Sequence, residues 1–175
     1  MAHYTRAYVP GGTFFFTVAL LERRQTWLTT HIADLRESIR VVRAARPFRI
    51  DAIVVLPDHL HCLWTLPPDD PDFSTRCRLI KSRFVRCIPT GERLSARRAQ
   101  VGEQGIWQRR FWEHSVRDET DFSRHMDYIH YNPVKHGHAK RVADWPHSRF
   151  HHYVKQGVYP LDWAADEATR LMPGE

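Results

Sequence analysis

The chain has 175 residues, which is enough for one domain with a proper core and too few for two full-sized ones. Hydrophobic residues make up 42% and charged residues 26%, a composition typical of a globular protein and not of a disordered chain. Lysine and arginine total 26 against 20 acidic residues, which gives a formal charge of +6. This balance favours polyanionic partners such as nucleic acid.

The cysteines and the apolar segments narrow the class of protein further. The three cysteines are Cys62, Cys77 and Cys87, and no two of them form a C-x-x-C pair. This argues against a disulfide framework and against a zinc finger, which needs four ligands. The N-terminus lacks the charged head and apolar run of a signal peptide, and no apolar stretch approaches the length of a membrane span. We therefore expect a cytoplasmic protein with reduced thiols.

The first part of the chain predicts a strand, a helix and two further strands. In chain order these elements are a strand over 13–20, a helix over 29–46, and strands over 48–56 and 59–66. Aromatic and β-branched residues favour the strands, whereas apolar residues at helical spacing favour the helix. Thr29 or Thr30 is the expected N-cap of the helix, and Pro47 stops it.

The second part of the chain predicts two helices and one short strand. In chain order we expect a basic amphipathic helix over 73–88, a polar loop over 89–105, a short strand within 107–117 and a helix over 120–136. Ser74 or Thr75 is the expected N-cap of the first of these helices, and Thr120 that of the second. Pro133 predicts a kink or an early end in the second helix.

The order of these elements predicts the fold class. Strand, helix, strand, strand, helix, strand is the βαββαβ arrangement of the ferredoxin-like α+β fold, which has an antiparallel sheet. The helix over 120–136 is added to that arrangement, and residues 138–175 form an irregular tail. The tail is rich in aromatic residues, so we expect it to pack on a domain formed by residues 1–137 and to adjust access of DNA. The alternative is simple packing that stabilises the added helix.

His59-Leu60-His61 is the first candidate for chemistry. In a strand, residues i and i+2 point to the same face, so the two imidazoles project side by side. Leu60 and Cys62 are then expected on the opposite face, toward the core. Two histidines are too few for a structural zinc site, but they suit a catalytic divalent ion with open coordination positions. The alternative is a pair of surface histidines on an edge of the sheet.

The segment Tyr128-Ile129-His130-Tyr131-Asn132 is the second candidate. On a helix, Tyr128 and Asn132 lie one turn apart and share a face. This spacing places a phenol nucleophile next to an amide oxygen, which is a hard ligand for a metal ion. Tyr131 and His130 point elsewhere. The alternative is a tyrosine that packs in the core with its hydroxyl at the rim.

Basic residues interleave with aromatic residues in the second part of the chain. This mixture suits single-stranded DNA, because cations neutralise the phosphates and aromatic rings stack on the bases. The expected DNA-contacting residues are Arg78, Lys81, Arg83, Arg86, Arg109, Arg110, Trp112 and Lys135. Arg76 belongs to the same basic helix. The alternative for each of them is a solvated helix face or an aromatic ring packed in the core.

Three segments together resemble the REP-associated tyrosine transposases, which are single-tyrosine members of the HUH class of nucleases. The segments are LPDHLHCLWTLP over 56–67, WQRRFWEHSVR over 107–117 and MDYIHYNPVKHG over 126–137. The resemblance extends from the early segment GGTFFFTV to ADWPHSRFH over 143–151, so it covers nearly the whole chain. One departure from the family is a longer loop over 89–105.

The resemblance implies roles for both candidates. The class motif of histidine, hydrophobic residue and histidine falls on His59, Leu60 and His61, while the catalytic tyrosine falls on Tyr128 and the third metal ligand on Asn132. Imidazole, amide and phosphate ligands suit Mg²⁺ or Mn²⁺. The family further implies binding to repetitive extragenic palindromic (REP) DNA, whose strands fold into hairpins, and a monomer rather than a dimer.

These observations predict a metal-dependent endonuclease and strand transferase that attacks single-stranded DNA with Tyr128 and forms a 5′-phosphotyrosine link. The link conserves the phosphodiester energy, so rejoining requires no nucleotide cofactor. Two alternatives remain open. One is a non-catalytic RNA- or DNA-binding module with a ferredoxin-like sheet. The other is a metal phosphodiesterase that uses water, for which Tyr128 is dispensable.

Overall fold

A computed structural model describes residues 8–89 and 105–164. Its strands are β1 (Thr13–Ala19), β2 (Arg49–Val55), β3 (His59–Thr65) and β4 (Trp112–Ser115). Its α-helices are α1 (Trp27–Thr30), α2 (Ile32–Ala45), α3 (Phe73–Cys87), α4 (Glu119–Lys135) and α5 (Phe150–Lys155). Most of the expected loop over 89–105 and the end of the tail lie outside the described residues. None of the helices in the described ranges is long and apolar enough to cross a membrane.

The four strands form one antiparallel sheet in the order β2-β3-β1-β4. The central strands β1 and β3 pair along their whole length, from Thr13 opposite Thr65 to Ala19 opposite His59. The chain passes from β1 through α1 and α2 to β2 on the far side of β3, and from β3 through α3 to β4 on the far side of β1. This is the ferredoxin-like topology, so the predicted fold class is confirmed.

The two faces of the sheet are covered by different helices. Phe14 and Phe16 of β1 point to the face under α2 and α3, where they share the main hydrophobic core with Leu60 and Cys62 of β3. Phe15 points to the other face, where it packs with residues of α4. Because side chains alternate along a strand, β1 and β3 present one apolar face to α2 and α3. Their opposite face carries a second apolar cluster, including Phe15 and Leu63, beside the polar residues His59 and His61.

The first predicted helix is in fact two helices. α1 and α2 are separated at His31, and neither Thr29 nor Thr30 caps a helix, so the predicted N-cap is wrong. The helical backbone begins earlier because Trp27 and Leu28 are buried and dock α1 on the core. Here the burial of two large apolar side chains outweighs the local capping preference of threonine.

The N-caps of α3 and α4 are aspartates that precede the predicted hydroxyl residues. The carboxylate of Asp72 accepts a hydrogen bond from the backbone N–H of Thr75 at 2.9 Å, and that of Asp118 accepts one from Asp121 at 2.8 Å. A carboxylate at this position also interacts favourably with the positive end of the helix dipole. The predicted caps corrected by this finding are Ser74, Thr75 and Thr120.

The early helix end expected at Pro133 is not observed, because α4 continues to Lys135. Gly137 closes the helix with a positive φ of 71°, and its N–H donates to the carbonyl of Val134 at 3.0 Å. The N–H of His138 donates to the carbonyl of Pro133 at 2.8 Å. These bonds satisfy the last carbonyls, while a proline this close to the end removes only one backbone hydrogen bond from the helix.

The segment after α4 packs along the outer edge of β2. The N–H of Val55 donates to the carbonyl of His147 at 2.8 Å, and the N–H of Arg149 donates to the carbonyl of Ile53 at 2.9 Å. The indole N–H of Trp145 donates to the carbonyl of Val55 at 3.0 Å. The segment therefore satisfies backbone groups that an open sheet edge would leave unpaired.

His130 is fully buried between α4 and the tail, where its ring contacts Phe150, Tyr153 and Tyr159. Burial lowers the pKa of His130 to about 3, and the nearby Arg149 adds to the effect. A histidine in the unfolded chain ionises near pH 6.5. Between these two pH values the unfolded state takes up a proton that the folded state does not, so this burial makes the fold sensitive to acid.

We predict that the free energy of unfolding falls as the pH is lowered from 6.5 toward 3, and that His130→Gln makes this fall shallower. Each histidine that stays neutral in the fold contributes at most about 1.4 kcal/mol per pH unit in this window. Urea denaturation at pH 7, 6 and 5 measures the slope. An unchanged slope in the variant would contradict the prediction, and His152→Gln, at an exposed position of α5, is the matched control.

Candidate active site

His59 and His61 lie side by side on β3, and both are on the face of the sheet that packs with α4. Their ring centroids are 5.0 Å apart, and each residue is only 4% exposed. Leu60 and Cys62 belong to the core on the opposite face, as the alternation predicts. Because β3 is a central strand and both histidines are buried, the alternative of two surface histidines at a sheet edge is wrong.

Asp58 orients the ring of His59. The Nδ1–H of His59 donates to the Asp58 carboxylate at 2.7 Å, and Arg23 forms an ion pair with the same carboxylate. Burial lowers the pKa of His59, although the hydrogen bond and the charge of Asp58 partly oppose this effect. His59 is therefore neutral at pH 7, and its Nε2 is the ring nitrogen that remains for an ion.

His61 has one ring nitrogen bound and one unsatisfied. Its Nδ1 lies 2.9 Å from Oγ1 of Thr17 on β1, while its Nε2 is buried and has no hydrogen-bond partner among the described residues. Burial lowers the pKa of His61 well below its ordinary value, and the neighbouring His59 and His136 add to this effect. A neutral imidazole with an unsatisfied buried nitrogen is suited to bind a metal ion.

Asn132 of α4 is entirely buried. Neither its amide oxygen nor its amide nitrogen has a hydrogen-bond partner within residues 8–89 and 105–164. Leaving such an atom unsatisfied costs about 1–3 kcal/mol, so an unpaired buried amide indicates a site for a ligand or an ion. Asn132 lies one turn after Tyr128 and shares its face of the helix.

The ring of Tyr128 packs against His61, with 5.2 Å between the two ring centroids. Phe15 of β1 contacts both rings, at 5.5 Å from His61 and 5.8 Å from Tyr128. The ammonium nitrogen of Lys135 lies 5.0 Å from the centre of the Tyr128 ring. Tyr131 belongs to a separate hydrophobic cluster, so only one of the two neighbouring tyrosines faces the histidines.

The fold thus brings His59 and His61 of β3 to face Tyr128 and Asn132 of α4. Imidazole nitrogens from His59 and His61 and the amide oxygen of Asn132 are donors that suit a divalent ion, and two of the three residues carry unsatisfied buried atoms. His136 was not among the predicted site residues, yet its ring lies 5.1 Å from that of His59. Its position four residues after Asn132 is the signal that could have indicated it.

A second cluster of ionisable side chains lies beside this site. His114 of β4, together with Asp121 and His125 of α4, has ligand atoms within 4.8 Å of one another, so the three residues could hold a metal ion. Phe15 contacts the ring of His125 at 4.7 Å, and it contacts Tyr128 as well. This cluster was not predicted from the sequence, although Asp121, His125 and Tyr128 recur at helical spacing.

The residues expected to contact DNA lie on different sides of the sheet. Three of them line a cleft of about 290 Å³ on the α3 side, whose lining residues are Ser74, Thr75, Arg78, Lys81, Arg109 and Phe111. Trp112 and Lys135 lie instead on the α4 side, near Tyr128. Three others are exposed but do not line that cleft: Arg83, Arg86 and Arg110.

Arg76 belongs to the same basic helix but is not available to DNA, because it is 1% exposed. Its guanidinium donates hydrogen bonds to the carboxylate of Asp70 and to the carbonyls of Pro47 and Asp72. Such partners are necessary, since a buried charge without them is strongly destabilising. Arg76 therefore ties α3 to the chain that follows α2, a role that the charge pattern of the helix alone did not indicate.

This chain is similar to known proteins over all the residues of the candidate active site. The family model described as Transposase IS200 like matches residues 15–132. A REP-associated tyrosine transposase from Escherichia coli (strain K12) is 50% identical over 175 residues, which cover 100% of this chain and 98% of that protein. A relative from Haemophilus influenzae is 43% identical over 172 residues, which cover 98% of both chains.

A similar solved structure is described as a REP-associated tyrosine transposase bound to a REP hairpin. It matches this fold with a TM-score of 0.83 and 49% identity, covering 100% of this chain and 98% of that chain. The family model spans β1 through Asn132 and so includes both histidines and Tyr128. The chain therefore belongs to the IS200-like transposases and, within them, to the REP-associated tyrosine transposases.

Proposed function

We propose that this protein is a metal-dependent endonuclease and strand transferase that acts on single-stranded DNA with REP-type hairpins through a 5′-phosphotyrosine intermediate. The proposal is carried by the packing of Tyr128 against His61. Nε2 of His61 and the amide of Asn132 are buried beside it and lack hydrogen-bond partners in the described ranges. A tyrosine that only packs in a core does not need such neighbours. A nucleophile that works next to a metal ion does need them.

In the proposed reaction, the phenol of Tyr128 releases its proton to water as its oxygen attacks the phosphorus of a phosphodiester. The bond from phosphorus to the 3′ oxygen breaks, and that oxygen takes up a proton and leaves as a 3′-hydroxyl. The downstream strand stays attached to Tyr128 through its 5′ phosphate. Attack of another 3′-hydroxyl on this link releases Tyr128 and joins the strands, so no external energy source is required.

His59, His61 and Asn132 would hold the ion, and bound Mg²⁺ or Mn²⁺ would neutralise charge on the phosphate oxygens. Both imidazoles must be neutral to act as ligands, and burial favours this form by lowering the pKa of each. Asp58 fixes the ring of His59, which leaves Nε2 for the ion. The ammonium group of Lys135 places positive charge beside the attacking phenol.

The two groups of predicted DNA contacts suggest two parts of the substrate. Trp112 and Lys135 lie on the same side of the sheet as the nucleophile, which suits the strand that is cleaved. Arg78, Lys81 and Arg109 line the cleft on the α3 side, which suits the phosphates of a folded hairpin. The similar solved structure is bound to a REP hairpin, and we extend that partner to this chain.

We also propose that residues 1–137 form the nuclease domain of a monomer and that the tail over 138–175 adjusts access of DNA to it. In support, the hydroxyl of Tyr159 in the tail donates a hydrogen bond to Asp127 of α4 at 2.6 Å. Asp127 immediately precedes Tyr128 in the chain. A tail that binds α4 at this point is well placed to influence the nucleophile.

Two other functions would use parts of the same site. A metal phosphodiesterase that activates water would need the histidines but not the hydroxyl of Tyr128. A non-catalytic nucleic-acid-binding module would need neither. The covalent product separates the three functions, because only the tyrosine mechanism leaves the protein attached to DNA.

We predict that Tyr128→Phe abolishes both cleavage and the covalent adduct while leaving the affinity for a REP hairpin nearly unchanged. The substitution removes only the attacking oxygen, since the ring can keep its contact with His61. The test incubates labelled single-stranded REP DNA with the protein and Mn²⁺ and separates the products under denaturing conditions. Tyr131→Phe is the matched control and should form the normal adduct. An adduct of normal yield from the Tyr128 variant would refute the assignment.

We predict that His59→Ala or His61→Ala removes metal-dependent cleavage and that a chelator has the same effect on the wild type. Protonation of an imidazole releases the ion, and burial lowers the pKa of both histidines. The acid limb of the cleavage profile should therefore lie below pH 6.5. Cleavage rates between pH 5 and 8 test this, with exposed His152→Ala as the control. Cleavage that persists with excess chelator would exclude the metal mechanism.

We predict that Arg78→Ala and Arg109→Ala each weaken hairpin binding, because each removes a phosphate contact. Each substitution should also reduce the slope of log K against log salt concentration by about one. Cleavage of a single strand without a hairpin should change little. Arg40→Ala, an exposed arginine of α2 that does not line the cleft, is the control. Hairpin affinity that is equal to the wild type at all salt concentrations would remove the cleft from the binding surface.

A further inference from the structure

Trp112 presents an exposed aromatic surface next to the candidate active site. It is 53% exposed, and among the described residues it is the one large hydrophobic side chain within a strand that is exposed to this degree. Its ring packs edge-on against Phe15, with 5.5 Å between the centroids and 71° between the planes. Phe15 in turn contacts Tyr128 at 5.8 Å. The exposed ring is therefore separated from the proposed nucleophile by a single side chain.

The ring of Trp112 belongs to a parallel set of three rings. Its plane lies 7° from that of His114, with 6.0 Å between the centroids. The plane of His114 lies 22° from that of His125, with 4.8 Å between those centroids. Trp112 and His114 share one face of β4, and His125 belongs to α4, so both elements contribute to the arrangement. We call Trp112, His114 and His125 the ring set.

Asp121 holds the two imidazoles of the ring set in position. Its carboxylate accepts hydrogen bonds from Nε2 of His114 at 2.8 Å and from the backbone N–H of Arg117 at 3.0 Å, and it lies 3.2 Å from Nδ1 of His125. Burial alone would raise the pKa of Asp121, but these hydrogen bonds outweigh burial and lower the pKa to about 2. The carboxylate stays ionised near neutral pH and keeps its hydrogen bond to His114, on whose ring Trp112 stacks. The platform is therefore supported before any ligand binds.

Cationic side chains lie near the ring set, alongside the carboxylate of Asp121 and the acidic first turn of α4. The side chain of Arg117 is 76% exposed, and its Nε lies 3.5 Å from the Asp121 carboxylate. Lys135 provides a second positive charge next to Tyr128. An exposed, preordered aromatic ring with cations beside it has the chemistry that binds unpaired nucleotides, because bases stack on the ring and phosphates meet the cations.

We propose that Trp112 is a stacking platform for one unpaired base of the single strand, close to the phosphodiester that Tyr128 attacks. His114 and Asp121 act as positioning residues that fix the orientation of the platform. This inference rests on the proposed function for its choice of single-stranded DNA as the ligand. It adds a binding position for a base on β4, separate from the metal ligands on β3 and α4. Stacking accepts every base, so the platform fixes the position of the strand rather than its sequence.

The same side chains could hold a metal ion, and that alternative predicts a different result. In the structure, one oxygen of Asp121 already accepts hydrogen bonds from His114 and from Arg117, and Nδ1 of His125 lies 2.8 Å from the backbone carbonyl of Asp121. One nitrogen of each imidazole is therefore already hydrogen-bonded within the cluster. Stacking on Trp112 is accordingly expected to persist in a chelator.

The test measures binding of a non-self-complementary oligonucleotide of about twelve nucleotides that carries 2-aminopurine. It uses the full chain with Tyr128→Phe, so that no cleavage occurs, and contains EDTA. Trp112→Ala should weaken binding by about tenfold and remove most of the quenching of 2-aminopurine fluorescence, whereas Trp112→Phe should retain most of both. Leu21→Ala, at an exposed apolar residue outside the tail and the ring set, is the matched control and should have no effect.

Three results would overturn the proposal. In the first, the Trp112→Ala variant binds the oligonucleotide and quenches its fluorescence as strongly as the protein with Trp112. In the second, the substitution weakens binding of the duplex form of the oligonucleotide as much as it weakens binding of the single strand. In the third, the substitution has an effect only when Mn²⁺ is present. Thermal unfolding of each variant shows that an effect on binding does not come from loss of the fold. The outcome is independent of the adduct assay, so failure of the platform and failure of Tyr128 as the nucleophile are distinguishable.

Discussion

The burial of unsatisfied polar atoms between α4 and β3 is the constraint on which the rest of the structure depends. Nε2 of His61 and both amide atoms of Asn132 are withdrawn from water without a hydrogen-bond partner among the described residues. Each such atom costs about 1–3 kcal/mol, and the fold must offset this cost elsewhere. The opposite face of the same two central strands does so, because it carries the aromatic and aliphatic core under α2 and α3.

α4 and its C-cap carry many of the groups that are proposed to act, opposite the histidines of β3 and the rings of β4. Asp121, His125, Tyr128, Asn132 and His136 follow one another at intervals of three or four residues along one face of the helix and its C-cap. A rigid helix therefore sets the spacing between the ring set and the proposed metal ligands. The tail after α4 satisfies the open edge of β2 and holds the other side of this helix, which ties the site to the sheet.

Local patterns predicted the elements well and the individual contacts less well. The first three predicted strands agree with the observed ones to within one residue at each end, because their side chains follow the alternation of a sheet. The helix starts were missed where Trp27 and Leu28 are drawn into the core and where Asp72 and Asp118 act as caps. In α3, Arg76 shares the charge pattern of its exposed neighbours, yet it is buried among backbone carbonyls.

The sequence by itself determined the order of the elements and which residues share a face. In any strand, the two-residue spacing of His59 and His61 puts both on one face. In any helix, the four-residue spacing of Tyr128 and Asn132 does the same, because backbone geometry repeats over a few residues. Only the tertiary structure decided that these two faces meet, and that Trp112 lies beside them. That outcome depends on the packing of segments far apart in the chain, which no local periodicity encodes.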